Sequence, residues 1–263
     1  MTPKPHTTRL AAPQHSNRSR WLLPLRLIYA LYAAATFFAL LLVALLLCVV
    51  VPTLAWRRRS IRRAAHCALL AMGMPVRVKW VGVLPEPCIV VANHCSYLDG
   101  VVLAAILPPR FGFVIKREMN SVPLAGFLLS RIGVEFVARG NRAGSTRDAL
   151  RVMRSATRGR SLAFFPEGTF QVQPGLLRFH IGAFAAAARA GAPVVPVIIR
   201  GTRRCLAPES MLPLPGYVEV IVLAPIAPQA AEPPMEAADL RDAARAAILS
   251  ILGEPDLANH TIE

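Results

Sequence analysis

The apolar stretch CIVVAN (88–93) runs directly into His94, and the sequence NHCSYLD then places Asp99 five residues further on. The stretch reads as a strand, and α/β proteins commonly place their sites where strands end. Five residues of regular helix rotate by about 500°, which leaves two side chains roughly 140° apart. His94 is therefore expected on a loop before a helix, with the chain turning back so that Asp99 reaches its ring. A carboxylate in that position fixes the imidazole tautomer and stabilises the imidazolium, while the other ring nitrogen takes a proton from a hydroxyl. An alcohol activated in this way can attack a thioester carbonyl with no enzyme serine, and general-base help contributes about 10²–10⁴ in rate.

The pair alone is a weak signal. Six His and five Asp in 263 residues give roughly 0.1 such spacings by chance, and a satisfied structural histidine is the commoner reading. A second constellation changes the balance. FPEGT (165–169) also follows an apolar run, SLAFFP, and sets a carboxylate, a glycine and a hydroxyl at its end.

The elements that must hold these residues follow from pattern. β-rich runs are VRVKWVGV (76–83), CIVVAN, FGFVIK (111–116), VEFVAR (134–139), SLAFFP (161–166), PVVPVIIR (193–200) and YVEVIVL (217–223). Helical patterns lie near 61–73 and in DGVVLAAIL, PLAGFLLSRI, STRDALRVMRSA and IGAFAAAARA, with another beginning near Met235 after a Pro/Ala-rich loop at 225–234. The alternation predicts an α/β fold, a mixed sheet flanked by helices. Pro196, inside an apolar strand, is expected at an edge or a bulge.

Hydrophobic residues make up 54% of the chain and mean hydropathy is +0.46. Much of that excess lies between Leu27 and Trp56, a run with no charged residue. It is longer than the roughly 20 residues a spanning helix needs, and than the 7–15 of a signal-peptide core. It reads as an N-terminal membrane-embedded helical segment, giving three parts: a flexible basic tail (1–20), the membrane segment (21–60) and an α/β domain (61–263). Basic residues flank the apolar run on both sides, so the positive-inside rule selects no orientation. A single span and a re-entrant hairpin both remain open, and the equal flanks favour the hairpin modestly.

The net charge of +15 is unevenly placed, for no Asp or Glu precedes Glu86 whereas twelve Lys and Arg do. Most of it therefore adjoins the bilayer, where anionic headgroups attract it. A further stripe, Arg147, Arg151, Arg154 and Arg158, repeats at helical spacing and suits either a solvated face or a lipid- or donor-facing one. The five cysteines are odd in number and lack metal-ligand spacing, which fits reduced thiols and no metal site.

Taken in order, NHCSYLD, KRE, VEFVAR, FPEGT and VVPVIIRG resemble the glycerophosphate/lysophosphatidate acyltransferase family over about residues 75–225. The resemblance implies that His94 is the general base and Asp99 its orienting partner. It implies acceptor-binding roles for Lys116, Arg139, Glu167, Gly168 and Thr169, with Arg139 gripping the acceptor phosphate. The implied reaction moves a fatty acyl group to the free hydroxyl of lysophosphatidic acid, giving phosphatidic acid in phospholipid biosynthesis. Acyl-CoA or acyl-carrier protein would serve as donor substrate, with no cofactor. The partners expected are membrane lipids and the lysophospholipid acceptor, at a bacterial-type inner (cytoplasmic) membrane with the catalytic domain facing the cytosol.

The residues also depart from the family pattern. Phe170 follows FPEGT where Arg or Ser is frequent, Ala138 precedes Arg139 where Asp is frequent, and His180 stands where Lys is usual. These changes leave the catalytic pair intact but bear on the acceptor, and another lyso-lipid such as a lyso-ornithine lipid is the runner-up. A hydrolase using Cys95 is disfavoured, since adjacent side chains diverge and there is no nucleophile elbow. A membrane-tethered nucleic-acid binder is the competing class, suggested by a pI near 11.0. No nucleic-acid motif accompanies that charge, so no nucleic-acid partner is expected.

Overall fold

The structure is a computed structural model that describes residues 23–138, 142–210 and 212–258. Seven strands form its sheet: β1 (Val76–Trp80), β2 (Ile89–Ala92), β3 (Gly112–Lys116), β4 (Glu135–Val137), β5 (Leu162–Phe164), β6 (Val194–Arg200) and β7 (Val218–Val222). The order across the sheet is β1-β7-β6-β2-β5-β3-β4. β6 and β7 pair antiparallel and every other neighbouring pair is parallel, so the sheet is mixed, as the alternation predicts. The helices are α1 (Leu23–Val50), α2 (Leu54–Ala71), α3 (Leu98–Ile106), α4 (Ala125–Arg131), α5 (Arg142–Thr157), α6 (Gly182–Ala190), α7 (Thr202–Cys205) and α8 (Ala237–Leu252). α2 begins earlier than the expected 61–73, so a boundary at residue 60 falls within it.

Because β2 is central, its residues are buried on both sides, and strict alternation assigns each to one of two cores. Val90 and Ala92 face a cluster with Leu69, Val102 and Leu103, beneath α2 and α3. Ile89 and Val91 face one with Phe184, Leu240 and Ile248, beneath α6 and α8. On α8 the inward residues Leu240, Ala244, Ile248 and Leu252 recur every four positions, and a reciprocal Glu236/Asp239 capping box starts the helix.

Pro196 is buried in β6, an interior strand. The antiparallel register runs Val197↔Val222 but Val194↔Ile226, a slip of one residue. Pro196 thus sits at a bulge, where its missing N–H removes no ladder bond and its carbonyl accepts from Leu223 N at 3.0 Å.

The apolar run forms a single 28-residue helix, α1. It is not folded back within itself, and the chain reverses only at 51–53, where α2 returns alongside it. Tyr29 Oη donates to Met72 O at 2.5 Å and Tyr32 Oη to Ala71 O at 2.9 Å, satisfying carbonyls at the end of α2. Arg131 donates to Cys48 O at 3.0 Å and Arg57 to Val51 O at 2.7 Å, doing the same for α1. Arg58 donates to Ile132 O at 2.8 Å, Arg110 O at 3.2 Å and Gly133 O at 3.2 Å, pinning α2 to the loops that enter β3 and β4. Much of the basic flank is therefore occupied with backbone.

At the end of β2 the chain leaves the sheet, and a side chain continues the ladder. Buried Asn93 donates Nδ2 to Ile199 O at 2.9 Å and accepts from Ile199 N at 2.7 Å. Asn93→Ala would leave two buried backbone groups unpaired, at a cost of roughly 2–4 kcal/mol. A drop in Tm of roughly 4–16 °C is expected in thermal unfolding of the detergent-solubilised protein. An unchanged Tm would show that the bridge does not support the fold.

Candidate active site

Residues 93–97 form the loop between β2 and α3, and Asp99 lies in the first turn of α3 with 0% exposure. Its Oδ2 accepts from Cys95 N at 2.7 Å, from Ser96 N at 2.8 Å and from the His94 ring through Nδ1 at 2.8 Å. The turn-back anticipated from the spacing is thus built by the aspartate itself. An ionised carboxylate only accepts, so Nδ1 carries the hydrogen and Nε2 is left with its lone pair free to take a proton.

Aromatic rings enclose the imidazole. Phe165 stacks on it at 4.2 Å between centroids, Phe170 meets it edge-on at 4.5 Å, and Tyr97 meets Phe170 at 4.8 Å. The His94 side chain remains 18% exposed, so it is reachable from one direction. Phe165 also walls an apolar cavity of about 360 Å³ that runs between α1, α2, α3 and the sheet. Phe37, Leu40, Ala65, Ala68, Gly100 and Val101 are among its other walls. The slot therefore reaches Phe165, the ring stacked on His94.

FPEGT sits at the end of β5, next to β2. Its turn is closed by Gly168 N donating to Phe165 O at 3.0 Å, with Gly168 at φ +78°, where a side chain would be strained. Thr169 is exposed. Glu167 is buried and faces inward: Oε1 accepts from His94 N at 2.6 Å and Oε2 from Leu177 N at 2.8 Å. Burial pushes its carboxyl up to about 8, against the opposing pull of those two N–H groups. Lys116 ends β3, is half exposed and lies 3.7 Å from Glu118. Arg139 lies outside the described residues. β4 ends at Val137, parallel to β3, and Asp148 accepts from Ala138 N at 2.7 Å and from Arg117 at 2.6 Å.

Cys95 is buried, with Sγ 3.2 Å from Thr202 Oγ1. Burial and the nearby Asp99 push its thiol up to about 12, so it stays protonated and unreactive. Arg147 and Arg154 on α5 and Arg158 just past its end are exposed, while Arg151 pairs with Asp148 at 3.1 Å.

Several supporting residues escape sequence reasoning. Arg203 donates to Gln171 O at 2.6 Å and Val172 O at 3.1 Å, and pairs with Glu254 at 3.4 Å. Glu254 accepts from Gly175 N at 2.7 Å, and Leu176 N donates to Pro255 O at 2.9 Å. The C-terminal segment thus straps down the loop that carries Phe170 onto His94. These partners lie 30 to 80 positions apart in sequence, so spacing gives no sign of them. Phe165 and Phe170, by contrast, flank a motif already singled out.

An imidazole oriented by a buried carboxylate thus stands at a central strand end, near an apolar slot on a mixed α/β sheet. Residues 76–200 match the family model described as Acyltransferase. The chain is 37% identical over 150 residues to a lyso-ornithine lipid O-acyltransferase of Pseudomonas aeruginosa, covering 57% of each protein. It is 29% identical over 218 residues to 1-acyl-sn-glycerol-3-phosphate acyltransferase alpha of Mus musculus, covering 78% of this chain and 75% of the mouse protein. The crystal structure of the 1-acyl-sn-glycerophosphate (LPA) acyltransferase PlsC from Thermotoga maritima superposes with a TM-score of 0.73 at 20% identity, over 86% of this chain and 94% of that one. That likeness establishes the fold. The match to the acyltransferase family lies in residues 76–200, and the chain spans about half the length of the first curated relatives it matches.

The Glu167 clamp has a pH signature. The folded carboxyl, at about 8 against an ordinary 4.5, holds a proton that the unfolded chain releases between those values. Its contribution is therefore greatest below about pH 4.5 and declines as pH rises towards 8. Glu167→Gln, which offers an NH₂ where an acceptor is needed, should lower Tm in acid and flatten its decline across that window. If the variant keeps the wild-type slope, Glu167 is not the titrating group.

Proposed function

We propose that this chain is an O-acyltransferase that moves a fatty acyl group from a thioester donor to the free hydroxyl of a membrane lysophospholipid, namely lysophosphatidic acid. The observation that carries this reading is the juxtaposition of His94 Nε2, freed by the Nδ1–Asp99 bond, with an apolar slot walled by the ring stacked on that imidazole. The slot takes the acyl chain and brings its carbonyl to the histidine. His94 removes the acceptor's hydroxyl proton as the oxygen attacks the thioester carbon, and Asp99 stabilises the imidazolium. Collapse of the tetrahedral intermediate breaks the C–S bond, and the imidazolium returns its proton to the departing thiolate. The products are an ester, phosphatidic acid, and a free thiol, of CoA or of acyl-carrier protein. Arg139 and Lys116 supply the cations for the acceptor phosphate, and Thr169 a hydroxyl.

Two features argue against the alternatives. A Cys95 hydrolase would need a thiolate that burial forbids. Arg57 and Arg58, part of the charge behind a nucleic-acid reading, are engaged with carbonyls. A second acceptor does have specific support: Phe170 sets an apolar edge, and no cation, against His94. A lyso-ornithine lipid suits that edge, and a relative carries that name.

The membrane reading follows from α1. The helix lies along the domain from Tyr29 to Cys48, roughly 28 Å of its length. A perpendicular crossing of hydrocarbon about 30 Å thick would drag charged α2 in with it. The α1–α2 hairpin therefore lies within one leaflet of the inner membrane with the site at the cytosolic surface, where the donors are.

Purified protein given a panel of lyso-lipids with both donor types, followed by mass spectrometry of the product, tests the reaction. Thioester consumption should require acceptor, and phosphatidic acid should be the main product. Consumption without acceptor would replace transfer with hydrolysis. His94→Ala should lower turnover by about 10²–10⁴, and a folded variant with near wild-type chemistry would remove His94 from the role.

Gly100 lines the slot, and a Cβ added there meets nothing within 4 Å. Gly100→Leu should therefore fill the slot without disturbing the fold. Turnover of long-chain donors should fall by at least tenfold while short-chain donors are retained. Equal loss across chain lengths would place the acyl chain elsewhere.

A further inference from the structure

With Arg57, Arg58 and Arg131 committed to backbone carbonyls, a second set of basic side chains on α2 remains. Arg59, Arg62, Arg63 and His66 recur three or four positions apart and share one face of the helix. With Ala105 and Pro109 they line a groove of about 600 Å³ between α2 and the C-terminal end of α3. Arg62 donates to Ala105 O at 3.3 Å, and Arg59 lies over the Trp56 ring at 4.9 Å. Among the described residues, none of the four forms an ion pair.

We infer that this groove binds the headgroup phosphate of an anionic phospholipid that is not the substrate. Three arginines line this concavity, and a guanidinium fork suits a phosphate, whose oxygens accept two parallel bonds from one arginine. Position separates the groove from the reaction. Asp99 opens α3 and Ala105 lies near its other end, roughly 9 Å further along the axis. Arg58, beside the groove, binds carbonyls of the loops entering β3 and β4, whereas His94 stands where β2 exits. A phosphate in the groove therefore belongs to a lipid at the opposite sheet edge. Its chains have a surface to follow, because the exposed Leu46, Val49 and Val50 precede α2 by one short turn. The inference rests on the membrane placement proposed above and commits to a lipid, not to a free ion or the acidic face of a carrier protein.

Native mass spectrometry of the full chain in detergent micelles reads the site without any activity measurement. Phosphatidylglycerol and phosphatidylcholine of identical chains would be titrated, with inorganic phosphate as a separate competitor. Wild type should hold one phosphatidylglycerol at least tenfold more tightly than phosphatidylcholine. Arg59→Gln/Arg63→Gln, which spares Arg62, should weaken that binding by roughly 10- to 100-fold. Phosphatidylcholine binding, Tm and turnover with a soluble short-chain acceptor should not change, and Arg154→Gln/Arg158→Gln at the end of α5 should bind as wild type does. If the double variant fails to fold, Arg63→Glu, at an exposed position, gives the same readout. Equal retention of the two lipids, or unchanged binding by the variants, overturns the inference. Full displacement by equimolar inorganic phosphate, or stronger competition by acyl-carrier protein, would assign the groove to another ligand. Loss of acyl transfer with lipid binding intact would instead sink the catalytic reading.

Discussion

One buried carboxylate oxygen organises the site. Asp99 Oδ2 receives the His94 ring and the N–H groups of Cys95 and Ser96, all within 2.8 Å and fully shielded from water. The two backbone donors hold the charge in place and bend the loop, so the same bonds that satisfy the aspartate aim the imidazole. Everything around it serves that geometry. Asn93 fixes where β2 releases the chain, and Glu167 holds the next peptide N–H from below.

The second constraint is that the apolar slot must stay dry and open. Its walls come from α1 and α2 on one side and the sheet on the other, so the cavity exists only while the hairpin is docked. Arg58 and Arg131 join it to the α4–β4 region, while two tyrosine hydroxyls and Arg57 hold α1 and α2 together, each bonding a carbonyl near a helix end that would otherwise lack a partner. The helices of the hairpin are thus also walls of the slot.

Much of this was legible in the sequence. All seven strands fall within the apolar runs that mark them, because central strands buried on both faces are short, β-branched and bounded by turn residues. The His94–Asp99 contact was legible too, since spacing excludes a common helix face and leaves a loop as the remaining solution. Pro196 was expected at an edge or a bulge because of its missing N–H, and the bulge is the one of the two that the fold uses.

Tertiary structure alone decided the rest. That Glu167 turns inward depends on Leu177 and His94 reaching it from separate segments. The Arg203–Glu254 strap depends on residues 51 apart. The hairpin that equal basic flanks favoured within the apolar run is formed instead by α1 with α2, because Tyr29, Tyr32 and Arg131 hold α1 unbroken along the domain. Sequence patterns report local periodicity and burial, which are set by each residue's own chemistry. Which distant groups share a hydrogen bond is set by the packing of the sheet, and no spacing encodes it.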